Sequence, residues 1–130
     1  MQIVRDQFAA TNDRDFRRAM AMYAEDVVLV VGHGEGLANP GTYEGRDAVG
    51  AWFGDWFQTF EPGYRFEIGD ARDLGDLVFV LASHSGRGRA SGAEVHGETA
   101  YLYRLRDGKI AHVELFSDRA AALEAAGLPE

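Results

Sequence analysis

Residues 77–117, LVFVLASHSGRGRASGAEVHGETAYLYRLRDGKIAHVELFS, decide the fold. β-Branched and aromatic side chains are frequent, and positions alternate in character with period two, the mark of strands rather than helices. Asp107-Gly108 is a hairpin dipeptide, because both residue types tolerate positive φ. Ala90-Ser91-Gly92 is a looser connection. Strands are expected over 77–87, 95–105 and 110–117, folded back on one another as a meander. Just upstream, 64–74 reads the same way and joins the meander through the turn residues Gly75-Asp76.

Further towards the N-terminus the period changes. Between Gln2 and Tyr23 the apolar residues Ile3, Val4, Phe8, Phe16, Ala19, Met20 and Tyr23 recur at helical spacing. Asn12-Asp13-Arg14 interrupts them as a turn, and Asp15 can cap a second short helix. The run Val27-Val28-Leu29-Val30-Val31 is too short for a helix and reads as a strand. Gly32 to Gly45 is an irregular, glycine-rich connection of the kind that often carries function. A third helix runs from Arg46 or Asp47 to Phe60 with a broad aromatic face, and Pro62-Gly63 ends it. Asp118 caps a last short helix over 119–126. Helices first and a meander afterwards means α+β, with the helices packed on one face of a strongly curved sheet.

The 130 residues fit a single domain, 1–130, large enough to bury a core. A net charge of −8 disfavours nucleic acid or an anionic membrane as partner, since both need a basic footprint. With no cysteine, thiolate zinc sites and a cysteine nucleophile are excluded. No apolar run approaches membrane-spanning length and no leader opens the chain, so a cytoplasmic location is expected.

Several stretches carry a resemblance. They are Asn12-Asp13-Arg14-Asp15-Phe16, Met22-Tyr23-Ala24-Glu25-Asp26-Val27, Tyr43-Glu44-Gly45-Arg46-Asp47-Ala48-Val49, Arg106-Asp107-Gly108-Lys109-Ile110 and Leu123-Glu124-Ala125-Ala126-Gly127-Leu128. In this order and spacing the chain resembles a SnoaL-like member of the nuclear transport factor 2-like superfamily, over essentially its whole length. The resemblance implies a cone-shaped barrel, a curved antiparallel or mixed sheet wrapped around the helices and enclosing a deep pocket. Ketosteroid isomerases, polyketide cyclases, limonene epoxide hydrolases and scytalone dehydratases share that fold with noncatalytic binding and dimerising domains. It implies no cofactor, and it implies a homodimer paired through the outer sheet face.

The matching positions argue against two of those chemistries. Steroid isomerisation needs a carboxylate base and an oxyanion hole of tyrosine and protonated aspartate. The base position falls on Val31, the tyrosine position on Gln7 and the aspartate position on Tyr101. A valine takes no proton, so His33 or Glu35 would have to replace it. The last-strand aspartate of the epoxide hydrolases corresponds to Leu115.

Strand alternation bears on the pocket independently of the family. One set collects Phe79, Leu81, Ser83 and Ser85 with Thr99, Tyr101, Tyr103, Val113 and Leu115. The other collects Val78, Val80, Ala82 and His84 with His96, Glu98, His112 and Glu114. The first, apolar with a few hydroxyls, is expected to face the pocket. A bulge would exchange the faces beyond it and bring the histidines and glutamates inward, where they could do acid–base work or bind metal. No metal is expected on the unexchanged reading. Trp52, Phe53 and Trp56 are core or pocket wall, and Gln7 and Tyr23 join the expected lining.

His33 is then the candidate base and Tyr101 the candidate donor to a carbonyl oxygen or oxyanion. Each has a plainer alternative, a solvated loop residue and core filler. Arg87-Gly88-Arg89 could steer an anion or simply end a hairpin. The expected activity is binding of a small hydrophobic carbonyl- or hydroxyl-bearing molecule, with cofactor-free isomerase, cyclase or dehydratase chemistry open. The alternative is a noncatalytic homodimeric sensing or dimerisation module.

Overall fold

The computed structural model describes residues 1–34 and 37–129. Two short helices open the chain, α1 (Gln2–Asn12) and α2 (Phe16–Ala21). Arg14 sits between them in the left-handed region at φ 60°, and the Asp15 side chain accepts a hydrogen bond from Arg18 N to cap α2. Strand β1 (Tyr23–Val31) follows at once, so it begins before the β-branched run that announced it. The glycine-rich connection, expected to be irregular, contains a short strand, β2 (Gly41–Glu44). Then come α3 (Arg46–Gln58), β3 (Arg65–Asp73), β4 (Leu77–Arg87), β5 (Glu94–Arg106), β6 (Lys109–Phe116) and α4 (Arg119–Ala125). Among the described residues no helix is long and apolar enough to cross a membrane.

The strands form one six-stranded sheet in the order β2-β1-β6-β5-β4-β3. All neighbours are antiparallel except β1 and β6, which run parallel, so the sheet is mixed. At the β5–β6 turn Asp107 and Gly108 both have positive φ, 53° and 76°, as the hairpin dipeptide requires.

The register corrects one expectation. Arg87 pairs with Glu94, which leaves an even number of residues in the β4–β5 connection, and Val80 therefore faces Tyr101 and Ala82 faces Thr99. Even-numbered residues of β4 share a face with odd-numbered residues of β5. An irregularity between Arg104 and Leu105 then keeps Tyr101 opposite Leu115 and Tyr103 opposite Val113. Only β4 is reversed against the expected pattern. Val78, Val80, Ala82 and His84 point inward, whereas Ser83 and Ser85 are exposed on the outer face. His96, Glu98, His112 and Glu114 lie on the outer face, as expected from β5 and β6 alone.

The helices do not all pack on one face. The inner face carries α1 and α3 over the main core, where Phe8 meets Tyr101 and Trp56 meets Phe66. On the outer face α4 buries Ala122 and Leu123 against Phe79, Ala100 and Leu102, a second small core. Arg119 of α4 bonds Asp70 of β3 at 2.7 Å, and that hydrogen bond holds the Asp70 carboxyl below its ordinary pKa. Part of the face expected to meet a second copy is thus covered by this chain's own helix.

The turn after α1 is also a clamp. Asn12 Nδ2 donates to the Phe66 carbonyl and Phe66 N donates to Asn12 Oδ1, both at 2.9 Å, so the side-chain amide pairs with edge strand β3 as another strand would. Arg14 donates to the Tyr64 carbonyl two residues earlier. Together these contacts dock the α1–α2 turn at the start of β3.

Candidate functional site

Between α1, α2, α3 and the inner sheet face lies a cavity of about 520 Å³, within the range of small-molecule sites. Helix α3 makes one wall. Gly50, Phe53, Gly54 and Phe57, spaced as one helical stripe, line it, while the neighbouring stripe of Val49, Trp52 and Trp56 packs into the core. The opposite wall comes from Gln7 and Phe8 of α1, and Tyr101 and Tyr103 form the floor. The mouth combines Phe16, Phe60 and Pro62 with Arg14, Arg89 and Glu61.

Tyr101 and Tyr103 are 3% and 2% exposed, and their rings stack with centroids 5.8 Å apart. Neither hydroxyl bonds to a described residue. Among those residues no fully buried side-chain nitrogen or oxygen lacks a partner, so the cavity is what both hydroxyls reach. Burial pushes both phenols well above their ordinary pKa, keeping them protonated and able to donate. Burial likewise raises the Tyr23 phenol at the edge of this floor. The arrangement is an apolar chamber with hydrogen-bond donors at its base.

Of the residues singled out from sequence, Gln7, Tyr23, Phe53, Tyr101 and Tyr103 line the cavity. Trp52, Val31, Thr99 and Leu115 are buried but belong to the surrounding core, and Trp56 packs there too. His33 is exposed and off the lining. The β1 ladder continues through Gly32, whose N–H bonds the Leu115 carbonyl at 3.1 Å, and this carries His33 out past the end of β6. Glu35, the other candidate for the base, lies outside the described residues.

Sequence reasoning missed Phe8, Thr11, Arg14, Phe57 and Phe60. Arg14 was legible only as part of a turn. The structure uses that turn to aim its side chain at Tyr64 and over the Phe57 ring, 5.1 Å from the centroid.

Behind the aromatic wall runs a directed hydrogen-bond chain. Trp56 Nε1 can only donate, and it does so to the Tyr64 hydroxyl at 3.2 Å. The hydroxyl proton is then free for His84 Nδ1, 2.7 Å away, and when it is donated there the proton of neutral His84 sits on Nε2. The ring lies against Gly97, where an added Cβ would meet Nε2 at 2.8 Å. Burial lowers the His84 pKa below 6.5.

The unfolded chain therefore takes up a proton that the folded protein resists, and stability falls as pH drops from 6.5 towards the lowered folded value. His112, lowered by burial on the outer face, acts in the same direction. His84→Gln should flatten the fall in urea midpoint between about pH 7 and pH 5, leaving the His112 share. An unchanged slope would show that His84 is not held neutral.

Among the described residues no group of His, Cys, Asp or Glu side chains is placed to hold a metal ion.

Comparison with known proteins agrees with this architecture. An NTF2-like protein from Burkholderia thailandensis E264 has 29% sequence identity and a TM-score of 0.77, with 98% of this chain and 96% of that one covered. TerC, co-crystallized with polyporic acid, is 22% identical with a TM-score of 0.77 over 95% of this chain and 94% of its own. A protein from Jannaschia sp. CCS1 assigned to the SnoaL-like polyketide cyclases is 20% identical, TM-score 0.77, over 99% and 92% of the two chains. No curated protein sequence matches. The profile of the SnoaL-like domain matches residues 4–113, and the chain belongs to that family.

Proposed function

We propose that the cavity binds a small hydrophobic molecule bearing a carbonyl or hydroxyl group, with the Tyr101 and Tyr103 hydroxyls as the polar contacts that orient it. The observation that carries this reading is two protonated phenols, without protein partners, at the base of a chamber otherwise lined largely by apolar side chains. A donor in such a site gains from the low dielectric, and a ligand without an acceptor would leave it unpaired. TerC, of the same fold, was co-crystallized with polyporic acid, and the SnoaL-like polyketide cyclases share the architecture, which supports use of this chamber for a small organic ligand.

If turnover occurs, it is cofactor-free isomerisation, cyclisation or dehydration. Tyr101 would then donate to oxygen as negative charge develops on it. Glu61, the carboxylate on the lining, stands at the mouth and not beside the phenols.

The test compares 9-fluorenone with fluorene, which share a skeleton and differ in the carbonyl. Tyr101→Phe should weaken fluorenone binding roughly three- to tenfold, the worth of one neutral hydrogen bond, and leave fluorene binding unchanged. Equal losses for both molecules would mean that Tyr101 only packs. Failure of both to bind the wild type would refute the site.

A further inference from the structure

We propose that the mouth of the cavity is an anion-reading subsite, in which Arg14 and Arg89 receive an acidic group of an amphipathic ligand whose apolar body occupies the chamber. This rests on the reading of the cavity as a ligand site and narrows its ligand to an anion, such as a carboxylate, sulfonate or acidic enol.

Both arginines line the same cavity, in a protein whose net charge is −8. Each is fixed by backbone carbonyls and not by an acid. Arg14 donates to the carbonyls of Thr11 and Tyr64. Arg89 donates from Nε to Gln58 O at 3.1 Å and from Nη2 to Phe60 O at 3.2 Å. The two thus grip opposite ends of the segment joining α3 to β3, where the Phe60 and Tyr64 rings stack at 4.0 Å.

The ion pairs among the described residues involve Arg18, Arg72, Arg87, Arg106, Arg119 and His96, and neither mouth arginine is in one. Glu61 is the carboxylate on the same lining, and it lies beyond ion-pair distance of both. Carbonyl contacts orient a guanidinium but do not neutralise it.

Arg14 is in addition partly buried, with its charge over the Phe57 ring and Arg65 as a like-charged neighbour. Desolvation and that neighbour both lower its pKa, against a smaller opposing effect of Tyr64. Two pre-oriented, uncompensated cations beside an apolar chamber fit a ligand that is apolar at one end and anionic at the other.

The probes are 1-anilinonaphthalene-8-sulfonate and N-phenyl-1-naphthylamine, the same ring system with and without a sulfonate, followed by fluorescence titration. In the wild type the sulfonate should bind more tightly, and its affinity should fall with added salt while that of the neutral probe does not. Arg14→Gln with Arg89→Gln should weaken the sulfonate about tenfold or more and change the neutral probe less than about twofold. The neutral probe also reports that the variant has kept its cavity. Wild-type sulfonate binding that is insensitive to salt, or equal losses for both probes, would overturn the subsite and leave the cavity reading standing. Failure of the neutral probe to bind the wild type would overturn the cavity reading, and this inference with it.

Discussion

Gly54→Leu should yield a protein that is more stable than the wild type and unable to bind in the cavity. Gly54 lies inside α3 on the stripe that lines the chamber, and a Cβ built there meets nothing within 4 Å. Glycine inside a helix is about 1 kcal/mol less favourable than alanine or leucine, so removing it should raise the melting temperature by roughly 3–5 °C. The isobutyl group would enter the space a ligand needs and reduce affinity for a neutral aromatic probe by at least about tenfold. Gly54→Ala separates the two effects, because it gains the helix propensity but adds only one methyl. It should be stabilised with binding nearly intact. A Gly54→Leu protein that still binds normally would place the ligand elsewhere.

Phe66→Ala carries the largest expected loss of stability. The Phe66 ring is 6% exposed and sits where α1, α3, β3 and β4 converge. It packs against Phe8, Trp56, Phe57, Tyr64 and His84, with ring centroids between 5.2 and 6.0 Å. Truncation removes the transfer energy of the ring and opens a void bordered by rigid aromatic groups that cannot collapse into it. A loss of about 3–5 kcal/mol in urea unfolding follows. A loss below about 1 kcal/mol would mean that the ring cluster is loosely packed and does not hold the helices on the sheet.

The strands of the meander were legible because their turns are written in the chain. Asp107-Gly108 sets a two-residue hairpin, and the boundaries of β4, β5 and β6 follow from such punctuation. Strand β2 was not legible. Its four residues pair with Val28–Val31, and nothing within Gly41–Glu44 itself marks that long-range partner. The face of β4 was misread for a related reason. Parity across the β4–β5 connection depends on which residues close it, and Gly-Arg-Ala-Ser-Gly-Ala holds no dipeptide that fixes the closing pair. Ser83 and Ser85 went outside and His84 inside on that count alone.

The site was readable in part, on the strands more than on the helices. Tyr101 and Tyr103 follow from alternation once β5 is placed. On α3 the aromatic residues crowd successive positions, and the packing of Trp52 and Trp56 against Tyr43, Phe66 and His84 decides that Phe53 and Phe57 turn to the cavity. Arg14 depends on a single left-handed residue after α1, and its target at Tyr64 lies fifty residues along the chain. No local pattern encodes that contact.

The most direct test of the cavity as a ligand site is an amide ¹H–¹⁵N correlation spectrum recorded while N-phenyl-1-naphthylamine is titrated into the wild-type protein. The predicted result is a set of saturable shifts at Gly50, Phe53, Gly54 and Phe57 of α3 and at Tyr101 and Tyr103 of β5, with Ser83, Glu98 and His112 on the outer face unmoved. Shifts centred on the outer face, or none at saturating probe, would contradict it.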